Sequence, residues 1–282
     1  MKTILITGIN GYLGSHLAKF LSVNYNIIGL EYSLENLFRI KDNDFKVYSV
    51  ENGIPDKLFT EKTIDVIIHT ATFYGRENEA VKTIAKANLF IPFDLLDKAI
   101  ENNCNLFINT DTVLDRFVST YALTKHQFQE WLYLRRKEIK VINMQLEHFY
   151  GPNASSSNFI TFMLEQLKKN VAQIDLTLGE QQRNFVYIDD VCSAYQTVIQ
   201  KTIEITKSYT EFQVATNQLM SIREVMLYLK EITNSTSRLN FGVIPYRENE
   251  LMKSEIDNAV LLNLGWKPQN SIKIGLKKCL IM

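Results

Sequence analysis

Cysteine, histidine and any excess of one charge are all scarce in this chain of 282 residues, and each shortage removes a class of protein. Only three cysteines occur, Cys104, Cys192 and Cys279. An odd, scattered set fits a reducing compartment and builds neither a disulfide framework nor a zinc site. The four histidines, His16, His69, His126 and His148, show no metal-ligand spacing, so no metal is expected. Lys and Arg number 31 against 31 Asp and Glu, a balance that argues against nucleic acid or an anionic membrane as the main partner. No apolar run is long enough to span a bilayer, and the short apolar stretch after Lys2 runs into glycines where a signal peptide needs its cleavage site. A cytoplasmic protein is the expectation. The length supplies core enough for one large α/β domain or two modest ones, and no internal repeat or low-complexity segment interrupts it.

What is present begins with Thr3-Ile-Leu-Ile-Thr7, an apolar strand that runs directly into Gly8-Ile-Asn10-Gly11-Tyr12-Leu13-Gly14 and then a helical stretch. Strand, glycine turn and helix in that order form the context of a dinucleotide fingerprint. Glycine permits the tight turn and lets the backbone approach a pyrophosphate, whose charge sits at the helix N-terminus. A second strand, Asn26–Glu31, ends in an acid 17 residues after Gly14. A carboxylate there accepts hydrogen bonds from an adenine ribose 2′-OH and repels a 2′-phosphate. Glu31 therefore leans toward NAD(H), with NADP(H) the alternative; an exposed strand-end carboxylate is the plain structural reading.

Ile64–Thr70 is apolar enough to be buried on both faces, as parallel strands are. It opens into Ala71-Thr-Phe-Tyr74-Gly-Arg76 at a strand C-terminus, where open α/β sheets bind ligands. Thr70 and Ala71 fall on the cofactor side of this edge; Tyr74 and Arg76 are candidates to meet a substrate, against a plain surface loop. Residues 77–102 are helical in pattern, and Pro92, unable to bond the Asn88 carbonyl, is expected to kink that helix or start a second segment. Further strands are expected at 104–110 and 141–146, with a helix at 121–137 between them. Strands alternating with helices imply a parallel, doubly wound α/β sheet, and right-handed crossovers place its strand-to-helix loops along one edge. After Pro152 the pattern loosens into a mixed lobe. Strands are expected near 176–182, 211–215 and 239–244, and helices at 159–169, 191–201, 221–233 and about 254–263.

Two Tyr-x-x-x-Lys spacings occur, Tyr121/Lys125 and Tyr133/Lys137. A tyrosine and a lysine one helical turn apart share a face, and an ammonium beside a phenol favours the phenolate. Twelve residues turn Tyr133 about 120° away from Tyr121, so both cannot serve one site. Tyr121 follows Asn109-Thr110-Asp111-Thr112 on the edge that carries the glycine turn, and either Thr110 or Thr112 is placed to bind the same substrate oxygen.

These pieces together resemble the extended short-chain dehydrogenase/reductase family, whose members act on nucleotide sugars. The likeness rests on Gly8, Gly11 and Gly14, Thr110, the Tyr121/Lys125 pair, Phe149-Tyr-Gly-Pro152, Arg183–Asp190, Arg247–Glu250 and Leu264–Pro268, and covers nearly the whole chain. More narrowly, Asn109–Thr112 and Leu146–Pro152 are similar to the subgroup of CDP-abequose, CDP-paratose and dTDP-fucose-forming 4-ketoreductases. The resemblance implies a Rossmann domain at 1–152, completed by about 184–207, and a substrate lobe at 153–183 and 208–282. It implies NAD(P)H-dependent reduction of the C4 ketone of a nucleotide-linked 4-keto-6-deoxyhexose, in deoxysugar synthesis for surface polysaccharide. In that reading Tyr121 gives the proton, Lys125 binds the nicotinamide ribose and lowers the tyrosine pKa, and Arg183 and Arg247 clamp the diphosphate. Asp111, Glu147 and His148 contact the sugar or serve local structure. Thr112 stands where the family's dehydratases carry a glutamate, which argues against elimination. Gln145 and His148 replace an arginine and an asparagine common in the family. A 4-epimerase with tightly held NAD uses the same pair and is the second reading; a non-catalytic dinucleotide sensor is the third. Homodimers through sheet-flanking helices are the family tendency.

Overall fold

The computed structural model describes residues 1–247 and 250–280; Glu248 and Asn249 of the charged Arg247–Glu250 motif lie outside the described residues. In chain order the first strands are β1 (Thr3–Thr7), β2 (Asn26–Glu31), β3 (Lys46–Ser49), β4 (Val66–His69), β5 (Leu106–Thr112) and β6 (Lys140–Leu146). The later, shorter ones are β7 (His148–Tyr150), β8 (Gln173–Leu176), β9 (Gln182–Tyr187), β10 (Tyr209–Val214), β11 (Leu219–Ser221) and β12 (Arg238–Phe241). The helices are α1 (Tyr12–Leu21), α2 (Lys57–Thr60), α3 (Val81–Ala85), α4 (Ile91–Glu101) and α5 (Thr120–Arg135). They continue with α6 (Phe159–Lys168), α7 (Ile188–Gln200), α8 (Ile222–Thr233), α9 (Ala259–Asn263) and α10 (Ile272–Lys278). The chain divides into two compact units, Met1–Leu146 with Val198–Phe212, and Glu147–Thr197 with Gln213–Met282.

The first unit is built on a seven-stranded sheet in the order β10-β6-β5-β4-β1-β2-β3, the expected doubly wound arrangement. β1 pairs in parallel with both β2 and β4, and β5 with β4 and β6. Every residue of β1 and β4 is buried, because helices cover both faces of a parallel sheet and the strands must read as unbroken apolar runs. Leu5, Ile67, Phe107 and Val141 form the centre of the core under α5, whose Phe128 and Leu132 pack into it. Lys125 lies on the same helical stripe, three residues before Phe128. The helix therefore turns its Tyr121/Lys125 face toward the sheet.

Around Pro92 the chain forms a second segment rather than a simple kink. A π-turn over Lys86–Phe90 leads into α4, with Pro92 in the first turn of that helix. A proline needs no backbone donor there, and the wider turn absorbs the carbonyl it leaves unpaired.

The second unit holds two small sheets, β11-β9-β7 and β12-β8. Here the expected boundaries shift. The strand placed at 176–182 is β8, ending at Leu176, and Gly179 (φ +74°) turns the chain before β9 begins at Gln182. β12 stops at Phe241, ahead of Gly242 at φ +87°. The helix expected from about 254 starts only at Ala259, and the Ser254 N–H instead bonds the Gln182 carbonyl.

Candidate active site

The glycine turn is cut to measure. Gly8 sits at φ +65°, and a Cβ on Gly14 would lie 2.1 Å from the Gly8 carbonyl oxygen. Any side chain at Gly14 would push α1 off the turn. Gly11 precedes α1 and caps it with no side chain, so the first N–H groups of α1 remain directed outward from the turn. A cradle that a Cβ would fill, at the start of a ten-residue helix, fits a dinucleotide pyrophosphate. Tyr12 packs edge-on against His16, and Leu13 is buried. Glu31 Oε2 accepts from the Asn10 N–H at 3.0 Å, which fixes the carboxylate beside the turn. Asn10 in turn accepts from the Arg39 N–H and donates to the Asn36 carbonyl, folding that loop back onto the same place. On the other side Thr70 donates to the Thr7 carbonyl and the Ala71 N–H to the Thr7 hydroxyl.

At the C-terminal end of β5 the polar residues form one buried chain. Asn109 donates to Asn143 (2.7 Å), and Asn143 donates to Asp111 (2.8 Å). The second Asp111 oxygen accepts from the Thr112 N–H at 2.8 Å. Asp111 is thereby a held carboxylate, bonded on both oxygens. Ser119 caps α5 by accepting from the Ala122 N–H, which sets Tyr121 in the first turn. The Tyr121 phenol lies beside the side chain of Thr112, which favours its ionised form, and the Thr112 hydroxyl accepts from the Leu114 N–H at 3.2 Å. Thr110 is half-buried on the same strand. Lys125 is 3 % exposed.

One expectation is corrected by these surroundings. The ammonium of Lys125 was expected to pull the Tyr121 pKa down, yet burial pushes the phenol above the ordinary tyrosine range, and Tyr74 and the Asp111 charge add to the rise. The Thr112 side chain and Arg76 oppose it without prevailing. Desolvation penalises a phenolate more than nearby donors repay it. Burial also lowers Lys125, against the opposing pull of Asp111. The pKa of the fully buried His69 is held well below the ordinary histidine value by burial and then by Lys125.

The loop after β4 reaches the same place. Tyr74 packs against Tyr121 with ring centroids 4.7 Å apart and ring planes tilted by 37°, and the Arg76 guanidinium lies 4.4 Å over the Tyr74 ring. Asn88, in the π-turn, fixes this loop and was not singled out from the sequence; its mark there is its place four residues before Pro92. Asn143 was likewise unmarked, although a polar residue amid Val141-Ile-Asn-Met144 of a buried strand signals an internal partner.

In the second unit Glu147 is buried and its Oε1 meets His148 Nδ1 (2.6 Å) and accepts from Ser254 (3.1 Å). His148 is exposed beside Phe185. Arg183 is buried at 7 % exposure, and its guanidinium donates to Glu250 at 2.6 Å. Arg247 is exposed, and its carbonyl accepts from the Glu250 N–H. The sequence marked Arg183 as a phosphate ligand but not its carboxylate partner. Among the described residues no cluster of metal-ligating side chains occurs, and no helix is long and apolar enough to cross a membrane.

Comparison with known proteins places this geometry. The model of the NAD dependent epimerase/dehydratase family matches residues 4–214. CDP-abequose synthase of Salmonella typhimurium is 31% identical, covering 98% of this chain and 97% of that protein. Among solved structures, UDP-glucose 4-epimerase from Thermotoga maritima, crystallised with UDP-glucose, superposes with a TM-score of 0.85 at 23% identity, covering 99% of this chain and 97% of that one. UDP-glucuronic acid 4-epimerase from Bacillus cereus, in complex with UDP-glucuronic acid and NAD, also gives 0.85 at 21% identity, over 98% and 97%. Matched across three quarters of its length by the family model and along its whole length by a relative, the chain belongs to the NAD dependent epimerase/dehydratase family, the extended short-chain dehydrogenase/reductases.

Proposed function

We propose that this protein reduces the C4 ketone of a nucleotide-linked 4-keto-6-deoxyhexose. The observation that carries the reading is the half-buried Tyr121 in the first turn of α5, its phenol beside the Thr112 side chain, with the two Asp111 oxygens already taken by Asn143 and the Thr112 N–H. Reduction needs an acid that enters the reaction protonated, as a phenol does near neutral pH. Elimination needs an acid and a base near the sugar, and Thr112 occupies the place of the second carboxylate. Held by the glycine turn, Glu31 and Lys125, a reduced nicotinamide dinucleotide would supply a hydride for C4. Tyr121 gives its phenolic proton to the oxygen of the former ketone, so that C=O becomes CH–OH, and the phenolate is reprotonated from solvent. Thr112 donates to the same oxygen as charge builds on it.

In this reading the first unit is the dinucleotide-binding part. Gly8, Gly11 and Gly14 with the N-terminus of α1 hold the pyrophosphate, Glu31 the adenine ribose, and Lys125 the nicotinamide ribose. The Glu31 carboxylate favours NADH over NADPH by repelling a 2′-phosphate. The second unit carries the nucleotide-sugar ligands Arg183 and Arg247, whose guanidinium forks match phosphate oxygens. Its relatives' names support a CDP-sugar. A cytoplasmic homodimer completes the proposal.

The test is direct. CDP- and dTDP-linked 4-keto-6-deoxyhexoses are supplied with NADH or NADPH, and the product is identified by NMR. One NADH consumed per 4-hydroxy sugar formed is the expected result. Interconversion of 4-hydroxy epimers, with NAD that co-purifies and no net NADH consumption, would instead identify a 4-epimerase.

A further inference from the structure

The loop Ala71–Arg76 is held against Tyr121 with more bonds than a surface loop needs. Asn88 is buried in the π-turn between α3 and α4. It accepts from the Phe73 N–H at 2.8 Å and donates to the Phe73 carbonyl at 2.9 Å, taking both backbone groups of one loop residue. The same amide donates to Thr124 at 3.0 Å, and the Thr124 hydroxyl donates to the Tyr121 carbonyl at 2.8 Å. One side chain thus ties the residue before Tyr74 to the helical turn that begins at Tyr121. π-Turns recur where a helix gives up regularity to aim a side chain, and here that side chain is Asn88.

The loop then turns sharply. Gly75 adopts φ +66°, and a Cβ there would lie 2.3 Å from the buried Ile84 side chain. This turn lets Arg76 fold back over Tyr74. The result places the guanidinium over the Tyr74 ring, and that ring against the Tyr121 ring at a tilt of 37°. Tyr74 remains 43% exposed, so hydrophobic burial does not account for so closely specified a contact.

We propose that Tyr74 is a positioning residue for the proton donor: its ring fixes the Tyr121 ring so that the phenol meets Thr112, and Arg76 behind it favours the negative charge left on Tyr121 when the proton departs. The proposal rests on the reading of Tyr121 as the acid of a ketone reduction. It also answers the correction above, because Arg76 is a cation whose field acts on the phenol in the direction that the acid step needs. A packed aromatic pair restrains ring orientation at modest energy, and a guanidinium over a ring adds to it.

The experiment pairs kinetics with a spectrum that needs no substrate. In the NADH assay, Tyr74→Ala should lower kcat about 10-fold, the worth of one aromatic pair, with the KM for NADH unchanged. Tyr74→Phe, which keeps the packed ring, should bring kcat back to within about 3-fold, and Arg76→Lys should retain more activity than Arg76→Ala. In parallel, protein with 13C at tyrosine Cζ is prepared; the Tyr121 signal, identified by its loss in Tyr121→Phe, should move in Tyr74→Ala. Equal kcat in wild type and Tyr74→Ala overturns the inference and leaves the ketoreductase reading intact, as does a loss in Tyr74→Phe as large as in Tyr74→Ala. A wild-type protein that turns over no keto-sugar, with the Tyr121 signal still moved by Tyr74→Ala, sinks the functional reading and supports the coupling of the two rings. An unmoved signal overturns the coupling whatever the turnover.

Discussion

Two tyrosines on one helix carry the same local motif and live in different solvents. Tyr121, in the first turn of α5, touches Thr112 and Tyr74 and has the nearly inaccessible Lys125 one turn on. Tyr133, three turns later, is 52% exposed, lies edge-on to Tyr209 and is covered by the Arg136 guanidinium at 3.8 Å. The second motif also fails for a reason beyond its angle. α5 ends at Arg135, whose guanidinium bonds Glu138 and Asp97, so Lys137 lies in the following turn and is not on the helix. Spacing places two residues on one face only while the helix lasts; what sets the two phenols apart is the neighbours that distant strands and loops bring to each.

That contrast can be broken most sharply at Tyr121 itself. Tyr121→Phe removes the proton and leaves the ring packing, so kcat should fall by about 10²- to 10⁴-fold, the usual worth of a positioned acid. Dinucleotide affinity, measured by fluorescence titration of NADH, should hold. Turnover within a few-fold of wild type would end the assignment.

The next effect separates the two threonines. Thr112→Val deletes the hydroxyl beside Tyr121 and should cost about 10- to 100-fold in kcat, as loss of a hydrogen bond to a developing charge does. Thr110→Val should cost less. The reverse order would hand the substrate oxygen to Thr110 and demote the Thr112 contact to local structure. Keeping the Thr112 N–H bond to Asp111 in both variants makes the comparison one of hydroxyls alone.

A third effect follows from the dryness of the Tyr121 end. His69 is fully buried, contacts Thr7 through Nδ1 at 2.8 Å, and its pKa is held well below the ordinary histidine value by burial and then by Lys125. As pH falls below about 6.5 the unfolded chain protonates this histidine while the folded one does not, so stability falls with pH by up to about 1.4 kcal/mol per unit. The loss continues until the much lower folded-state pKa is reached. Urea unfolding at pH 7.5, 6.5 and 5.5 should show this slope in the wild type and a shallower one in His69→Asn. Identical slopes would mean that His69 accepts its proton in the folded protein, and that the site is wetter than its burial implies.

The legibility of the chain follows the same division between local pattern and remote environment. The parallel sheet could be read because its strands are continuous apolar runs, and the glycine turn because its steric demand is written in three residues. In the second unit the strands are short and pair with remote partners, as Arg238 does with Gln173, so their boundaries could not be placed from local texture. The placing of Tyr121 and Lys125 one turn apart on one helix was legible from spacing and from the strand before them. The sign of the phenol's pKa shift was not, because it depends on burial under a loop that Asn88 holds from another helix. The Arg183 carboxylate partner was hidden for a similar reason: Glu250 sits in a charged loop whose members look alike until one of them is brought to a buried guanidinium.

The smallest expected effect tests the comparison from the side of the decoy. Tyr133→Phe deletes a hydroxyl on a half-exposed ring, and Lys137→Ala removes an exposed side chain from a turn. Neither touches the Asn109–Asn143–Asp111 chain or the Thr112 contact, and a solvated cation is worth little at that distance from the reacting atoms. Both variants should keep kcat and KM within about 2-fold of wild type, since surface substitutions usually stay within about 0.5 kcal/mol. The double variant should equal the sum of the two, because sites without shared partners add. A loss of 10-fold or more in Tyr133→Phe would mean that the exposed end of α5 meets something in the working protein, a second copy of the chain being the first to examine by sedimentation of the variant. The motif's two occurrences would then differ in partner as well as in solvent, and the acid role proposed for Tyr121 would no longer follow from its surroundings alone.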